Sequence, residues 1–475
     1  MPASDTDVVN HLAHHAAGAT FEALPPAAVE AAKKSILDTL GVTLAASGME
    51  PAVHGVIDLV RETGGRQEST VLAFGDRVPA LMAAFANGAM AHCLDFDDQT
   101  PWGQHSASSI VAAAFAVAER AGGVSGRDMI TAVAVGQDIF ARLRRNVGWR
   151  KDWNLSTVLG VFAATAATGR LLALTPQRMA HALGIASMQS SGVMEVVAGT
   201  GSDLRALYAG FSAKGAVLAA LLADKGVGGV ERLFEGEHGV FAAYFAGQYQ
   251  RDAILQGLGE DYQGSTTLYK LWPSVGTSHS HISATIDIVT ELDAAADDID
   301  EIRVHVGNYH DLMCRPLEAR RAPTTLVDAK FSLPFLVAVA AVHRGVRLAD
   351  FSAQALRSPQ VLAVAHKVVP VADPSLDWHL ELPHGRVEVL LRDGRRASRL
   401  GDRVPGSPET PLTWDDLGRK FADCAGVAVS PPGKQRVGEA IRIARGLQDV
   451  DDVTDLLGLV SQAKVLTQSQ NTGYC

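Results

Sequence analysis

The run Asp95-Phe96-Asp97-Asp98 is the densest cluster of reactive side chains in the sequence. Gln99-Thr100-Pro101 follows at once, and His105 lies ten residues past Asp95. Three carboxylates within four residues repel one another, which raises at least one pKa unless cations or donors compensate. A carboxyl poised near neutrality suits a general acid or base. The same run also reads as an acidic loop capping the next helix, because Asp favours turns and N-caps. His105 opens a helical stretch from Ser106 to Ala121, where the helix dipole disfavours the imidazolium and favours a neutral ring.

Other candidates carry less on their own. An Asp-x-Asp-Asp motif also serves as the acid of class II terpene cyclases, but those enzymes guide carbocations with many aromatic faces. Here 15 Phe, 7 Tyr and 6 Trp are spread over 475 residues, a thin supply for that chemistry. His279-Ser280-His281 places two rings on one face if extended, yet no third ligand stands at a telling distance, so no metal is expected. Gly199-Thr200-Gly201 and Gly228-Gly229 lack a strand-to-helix setting, and no GxGxxG or GxxxxGK[ST] occurs, so nucleotide binding is not indicated. Arg205 and Lys214 sit in one apolar helical stretch and Lys330 opens another. Such residues often snorkel to the surface, but if they converge, Arg205 offers a planar fork for a carboxylate and Lys330 a point charge.

Composition bounds the class of protein. An apolar share of 47% and a charged share of 20% are those of a folded globular chain, and the length allows two or three domains. A formal charge of −10 counts against broad nucleic-acid binding, and it means that an anionic ligand needs a local basic pocket. Cys93, Cys314, Cys424 and Cys475 are far apart, without CxxC or zinc spacing, and read as reduced thiols of a cytoplasmic protein. The first residues lack a basic segment followed by an apolar one, so no secretory signal is expected. Ala-rich stretches are broken by His, Ser or charge before about 18 apolar residues accumulate, so no membrane span is expected either.

The elements that must position these residues are mainly helical. In 26–46, Val29, Ala32, Ile36, Leu40 and Leu44 share a face behind Pro25-Pro26, with Gly48 as the expected stop. Similar patterns fill 79–93, 106–121, 126–146, 157–173 and 203–225, and Thr175-Pro176 starts another helix running to about Ser190. Several are apolar nearly all round and rich in Ala, as helices packed among helices are. The pattern changes near residue 265. Ile302, Val304 and Val306 alternate with Arg303 and His305 as in a half-buried strand, and 379–400 reads as a hairpin turning at Asp393-Gly394. A helix is expected over 328–345 between them. After Pro411 helices return, with Thr413 capping Trp414 to Ala425 and two more ending by Leu459. The last ten residues are polar and expected to be loose. The expected fold is therefore mainly α: a discontinuous helical domain, 1–265 and 405–475, with an inserted α+β domain, 266–404.

Several segments, in this order, resemble the 2-methylcitrate dehydratase (MmgE/PrpD) family. They are Ala31 to Ser47, Asn87 to Asp98, His105 onward, Ser156 to Gly160, Leu207 to Leu222, Trp272 to His281, and Lys330-Phe331-Ser332-Leu333-Pro334. The family includes 2-methylcitrate dehydratase, cis-aconitate decarboxylase and iminodisuccinate epimerase. The resemblance implies a homodimer without cofactor or metal, with the site between a helical and an α+β domain. It also implies proton transfer beside a carboxylate of a small polycarboxylate. Asp95, His105 and His279 match family positions and are the expected catalytic residues, and Lys330 matches the lysine of the KFS motif. Substrate contacts are expected from Lys330 together with Gln99, Asn154, Arg205 and Tyr208. Four of these depart from the family: Gln99 replaces a threonine, Asn154 and Tyr208 replace histidines, and Arg205 replaces a lysine. Gly276 stands where a basic residue is frequent.

Abstraction of a proton alpha to a carboxylate builds charge on that carboxylate, which Arg205, Lys330 and a protonated His279 would stabilise, with Asp95 or His105 taking the proton. The expected activity is that of a cofactor-independent lyase, dehydratase- or decarboxylase-like, on a small di- or tricarboxylate. An epimerase of a small dicarboxylate is the alternative within enzymes. A family member that binds a carboxylate without turning it over is the alternative outside them. The expected partners are that small-molecule acid and a second copy of the chain.

Overall fold

The structure, a computed structural model, describes residues 6–198 and 202–461. Gly199-Thr200-Gly201, Cys475 and the last ten residues fall outside that range. Helix accounts for 59% of the described residues and strand for 8%, so the fold is mainly α with a smaller α+β part.

The helices near the site pack through small side chains. Ala80–His92 and Leu204–Asp224 cross where Gly88 meets Gly210, and a Cβ added at Gly210 would stand 2.4 Å from the Phe85 carbonyl oxygen. The Ala-rich composition thus has a positional purpose. Close approach of two helices brings the end of one, His92, against the start of the other, where Arg205 and Tyr208 lie. Leu204–Asp224 has the length and hydropathy to cross a membrane, yet 67% of its apolar window is buried, as befits a core helix. Lys214, on this helix, lies 5.2 Å from the centre of the Phe85 ring and does not line the cavity described below.

Pro26–Met49 runs through Gly48 rather than stopping there. Its face from Ser35 to Ser47 is buried, and packing of that extent outweighs a glycine cost of about 1 kcal/mol. The helix Trp414–Gly426, held at its start by a Thr413–Asp416 capping box, lies along Pro26–Met49. Lys420 reaches from it to Asp38 at 2.6 Å and to the carbonyls of Phe96 and Lys270 at 2.7 and 2.9 Å. The C-terminal helices therefore clamp both the acidic segment and the lysine that will matter most.

Beside a two-stranded ribbon at Ser69–Thr70 and Arg77–Val78, the larger sheet has four strands in the order Val368–Ala372, Ile299–Val306, Gly385–Leu391, Arg396–Gly401. The first pair is parallel and the others antiparallel, the last joined through Gly394 at φ +89°. The expected hairpin is present, but its first strand starts at Gly385 rather than 379. The edge strand Val368–Ala372 escaped the sequence reading because Pro370 interrupts its pattern, which an edge position tolerates. The expected helix over 328–345 is two: Leu326–Lys330 ends, and Ser332 caps Leu333–His343 by accepting from the Phe335 amide. That break sets Phe331 and Lys330 at a turn facing the helical body.

Candidate active site

Beyond His92 the chain reverses sharply at Asp95, whose φ of +49° is rare for a residue with a side chain; its amide donates to the His92 carbonyl at 2.8 Å. Gln99 then pairs in both directions with Leu268, at 3.0 and 2.8 Å, which ties the acidic run to the segment ahead of Lys270. All three aspartates are buried, and the turn sends each to different partners. Asp95 forms an ion pair with Lys270, which also donates to the Asp95 carbonyl at 2.8 Å. Asp97 lies 3.1 Å from His92 Nδ1 and 3.2 Å from His105 Nδ1. Asp98 accepts from Ser35 Oγ at 2.7 Å and from the Ala107 amide at 3.3 Å, away from the cavity.

The electrostatics follow from those partners. Asp95 is held well below the carboxylate range, because the Lys270 ammonium, with His105 and His92, outweighs its burial. Asp97 is lowered by the two rings. The carboxyl that crowding raises is Asp98, pushed up to about 7 by burial and by Asp38. His105 lies above the usual histidine value: burial opposes the charge, but Asp97 at 3.2 Å prevails. The expected preference for the neutral ring is therefore reversed: Asp97 favours the protonated form. The helix begins only at Ala107, so its dipole acts from farther away than the Asp97 carboxylate. His105 Nδ1 donates to the Asp98 carbonyl at 2.7 Å, which leaves Nε2, 3.7 Å from Asp95 Oδ1, as the reactive edge. Burial lowers the His92 pKa, and its ring centre lies 4.2 Å from that of Tyr208, the two rings tilted by 35°.

These groups open onto a small cavity, about 50 Å³, walled by Trp149, Trp378 and Phe331. Asp95, His105, Gln99, Asn154, Arg205 and Tyr208 line it, as expected residues brought together from three separate segments. The Arg205 guanidinium carbon stands 3.1 Å from the Phe331 ring centre, and its buried Nε has no hydrogen-bond partner. Burial lowers its pKa to about 10, so it remains charged. Asn154 accepts from the Ser156 amide at 3.1 Å, while its buried Nδ2 is unpartnered. Gln99 and Gly276 prove to be coupled: a Cβ at 276 would fall 2.1 Å from Gln99 Oε1, so the longer side chain at 99 fills the space above the glycine.

Two expected residues do not reach the cavity. Lys330 donates to the Cys93 carbonyl, supporting the turn that carries Asp95. His279 packs 5.2 Å from Trp272, and burial beside Lys270 pushes it down to about 3. The protonated His279 anticipated from the sequence is thus replaced by a neutral ring. Conversely, Lys270, His92 and Tyr309 were not singled out, and Asp97 only as part of the acidic run. Tyr309 lines the cavity, and burial raises its pKa. Lys270 is flanked by Tyr269 and Leu271-Trp272-Pro273, and a lysine embedded in so apolar a stretch was the available signal.

Among the described residues, His92, Asp95 and His105 have donor atoms within 4.8 Å of one another, the spacing a metal ion would need. The Lys270 ammonium already occupies one Asp95 oxygen, and its charge opposes a divalent cation there. What the arrangement offers directly is a histidine whose protonated form Asp97 favours, a carboxylate held by Lys270 and a buried guanidinium against Phe331.

Comparison with known proteins agrees with this picture. The chain matches the MmgE/PrpD N-terminal domain over residues 10–252 and the MmgE/PrpD C-terminal domain over residues 272–444. It is 27% identical over 480 residues to a cis-aconitate decarboxylase of Aspergillus terreus, covering 96% of both chains. It is 26% identical over 462 residues to a cis-aconitate decarboxylase-like protein of Aspergillus oryzae, covering 92% of this chain and 94% of that one. It is 25% identical over 465 residues to the cis-aconitate decarboxylase of Homo sapiens, covering 94% and 93%. None of these relatives is named an epimerase, so that alternative gains no support from them.

Proposed function

The chain belongs to the MmgE/PrpD family, and from that premise we propose that it is a lyase of the decarboxylase type acting on a small carboxylic acid. The observation that carries this reading is the placement of His105, whose Nδ1 lies 3.2 Å from Asp97 and whose Nε2 lies 3.7 Å from Asp95, beside the Asp95–Lys270 ion pair. Asp97 favours the protonated form of His105, which lines the cavity, and Lys270 favours the charged form of Asp95. Loss of carbon dioxide needs a proton donor and a stabiliser of negative charge, and it needs no strong base.

In the proposed reaction Arg205 holds a retained carboxylate. The bond to a second carboxylate breaks, carbon dioxide leaves, and the electron pair remains on carbon in conjugation with the retained group. His105 Nε2 then delivers its proton to that carbon. The Arg205 guanidinium stabilises the charge as it develops, in a site where the aromatic walls strengthen every ionic contact. Asp97 keeps His105 charged, Lys270 keeps Asp95 in place, and Lys330 and His279 support the turn and the segment beside it. We assign substrate contact to Gln99, Asn154 and Tyr208, and the α+β unit to 266–404.

NMR in deuterated water tests the reading, with cis-aconitate and a series of unsaturated and hydroxylated diacids. The expected result is carbon dioxide release with one deuterium placed on the carbon that lost it. Deuterium exchange or loss of water without carbon dioxide from every acid would sink the decarboxylase assignment.

The proposal includes a homodimer. Leu204 and Phe211, 53% and 45% exposed, lie seven residues apart on one helix face, an apolar stripe suited to self-association. Light scattering after gel filtration is expected to give twice the 50.1 kDa chain mass, and Phe211→Glu to give the monomer. A monomeric wild type would refute it.

A further inference from the structure

The cavity has one cation to spare. Among the described residues Arg205 is the only lysine or arginine on its lining, and the remaining charges cancel: Asp95 against Lys270, Asp97 against His105. A ligand carboxylate on Arg205 completes the balance. Any further carboxylate must leave water for a site walled by Trp149, Trp378 and Phe331 with no counterion to meet it.

The other unsatisfied group is uncharged. Asn154 Oδ1 is committed to the Ser156 amide at 3.1 Å, and this fixes which end of the side-chain amide is free. The free end is Nδ2, a donor on the cavity wall, in a residue only 4% exposed. A buried donor without a partner is costly, and an oxygen of the ligand relieves it without requiring charge. On the same cavity Gln99 covers Gly276, so the wall there is a neutral amide as well.

Resting on the lyase reading above, we propose that the substrate is a dicarboxylic acid with an uncharged oxygen substituent, a hydroxyl, oxo or carboxamide, rather than a tricarboxylate. One carboxylate stays on Arg205, the neutral oxygen takes the Asn154 donor, and the second carboxylate is the one lost. That second group meets no lysine or arginine of the described lining, only the His105 edge that then protonates its carbon. Its charge is therefore destabilised in the bound acid and relieved as neutral carbon dioxide departs. The arrangement selects by charge: a third carboxylate would occupy the position where only an amide is offered.

Equilibrium binding by titration calorimetry tests this on the full chain, with 2-hydroxypentanedioate, pentanedioate and propane-1,2,3-tricarboxylate as probes. The hydroxydiacid is expected to bind at least tenfold more tightly than the tricarboxylate, with pentanedioate between them. Arg205→Gln is expected to abolish binding of all three. Asn154→Asp keeps the acceptor for Ser156 and is expected to fold, as thermal unfolding will show, but to erase the advantage of the hydroxyl. The proposal is overturned if the tricarboxylate binds as tightly as the hydroxydiacid, if none of the probes binds, or if Arg205→Gln binds as before. Turnover decides the separate question: carbon dioxide release from any acid supports the lyase reading whatever the ranking, and the ranking stands even where no probe is turned over.

Discussion

His105→Gln is expected to lower kcat by about 10²- to 10⁴-fold, the range for loss of a positioned proton donor, with a much smaller change in KM. Glutamine fills similar space and can donate to the Asp98 carbonyl as His105 Nδ1 does at 2.7 Å, so the turn should survive. What it lacks is an acidic proton. The pH profile adds a readout that a structural role would not move. The reactive form is the imidazolium, and Asp97 raises its pKa, so activity should persist through neutral pH and fall as pH rises through that raised value. Asp97→Asn removes the charge that does the raising, and the basic limb should then move to lower pH. Steady-state kinetics across pH 5 to 9 check both. A basic limb that Asp97→Asn leaves in place would assign the titrating group elsewhere.

How much of this was visible beforehand depends on what each inference required. The helical body was legible because its Ala-rich, 3.6-residue patterns need only local sequence, and the hairpin because Asp393-Gly394 announces its own turn. The strand containing Pro370 was not legible, since its position at the sheet edge is settled by which strand it pairs with. The site divides in the same way. The acidic run and His105 stand out by residue type and spacing. The direction of each aspartate does not, because it depends on a left-handed turn at Asp95 and on Lys270, which lies 175 residues away. Repulsion within the run was a sound argument for one raised carboxyl, but the carboxyl is Asp98, whose extra neighbour Asp38 comes from another helix. Lys330 shows the converse. Its place in a recognisable motif was clear, and only the fold shows that its ammonium supports the Cys93 carbonyl.

Lys270→Met should be the most damaging single change to the fold of the site. The ammonium and the Asp95 carboxylate are both buried, and removing one partner of such a pair costs about 3–5 kcal/mol because the other is left charged and unsolvated. In the native protein the Asp95 pKa is depressed below 3.8, so the pair stabilises the fold above that unfolded value and the contribution fades as pH falls through the folded one. Without Lys270, burial raises the pKa against only the remaining pull of His105 and His92. The variant should therefore lose most at pH 8, and the deficit should shrink toward pH 5 as Asp95 takes up a proton. Urea unfolding at the two pH values measures this directly. The double variant Lys270→Met, Asp95→Asn separates stability from chemistry, because it removes the stranded charge together with its partner. It should regain about half or more of the lost stability, as expected when both partners of a buried pair are replaced, while activity stays lost. The same deficit at both pH values, with no recovery in the double variant, would mean that Lys270 acts through its backbone contacts rather than through the ion pair. Recovery of activity with recovery of stability would remove the pair from the proposed mechanism and leave it a purely structural bridge between the acidic turn and the segment that follows residue 268.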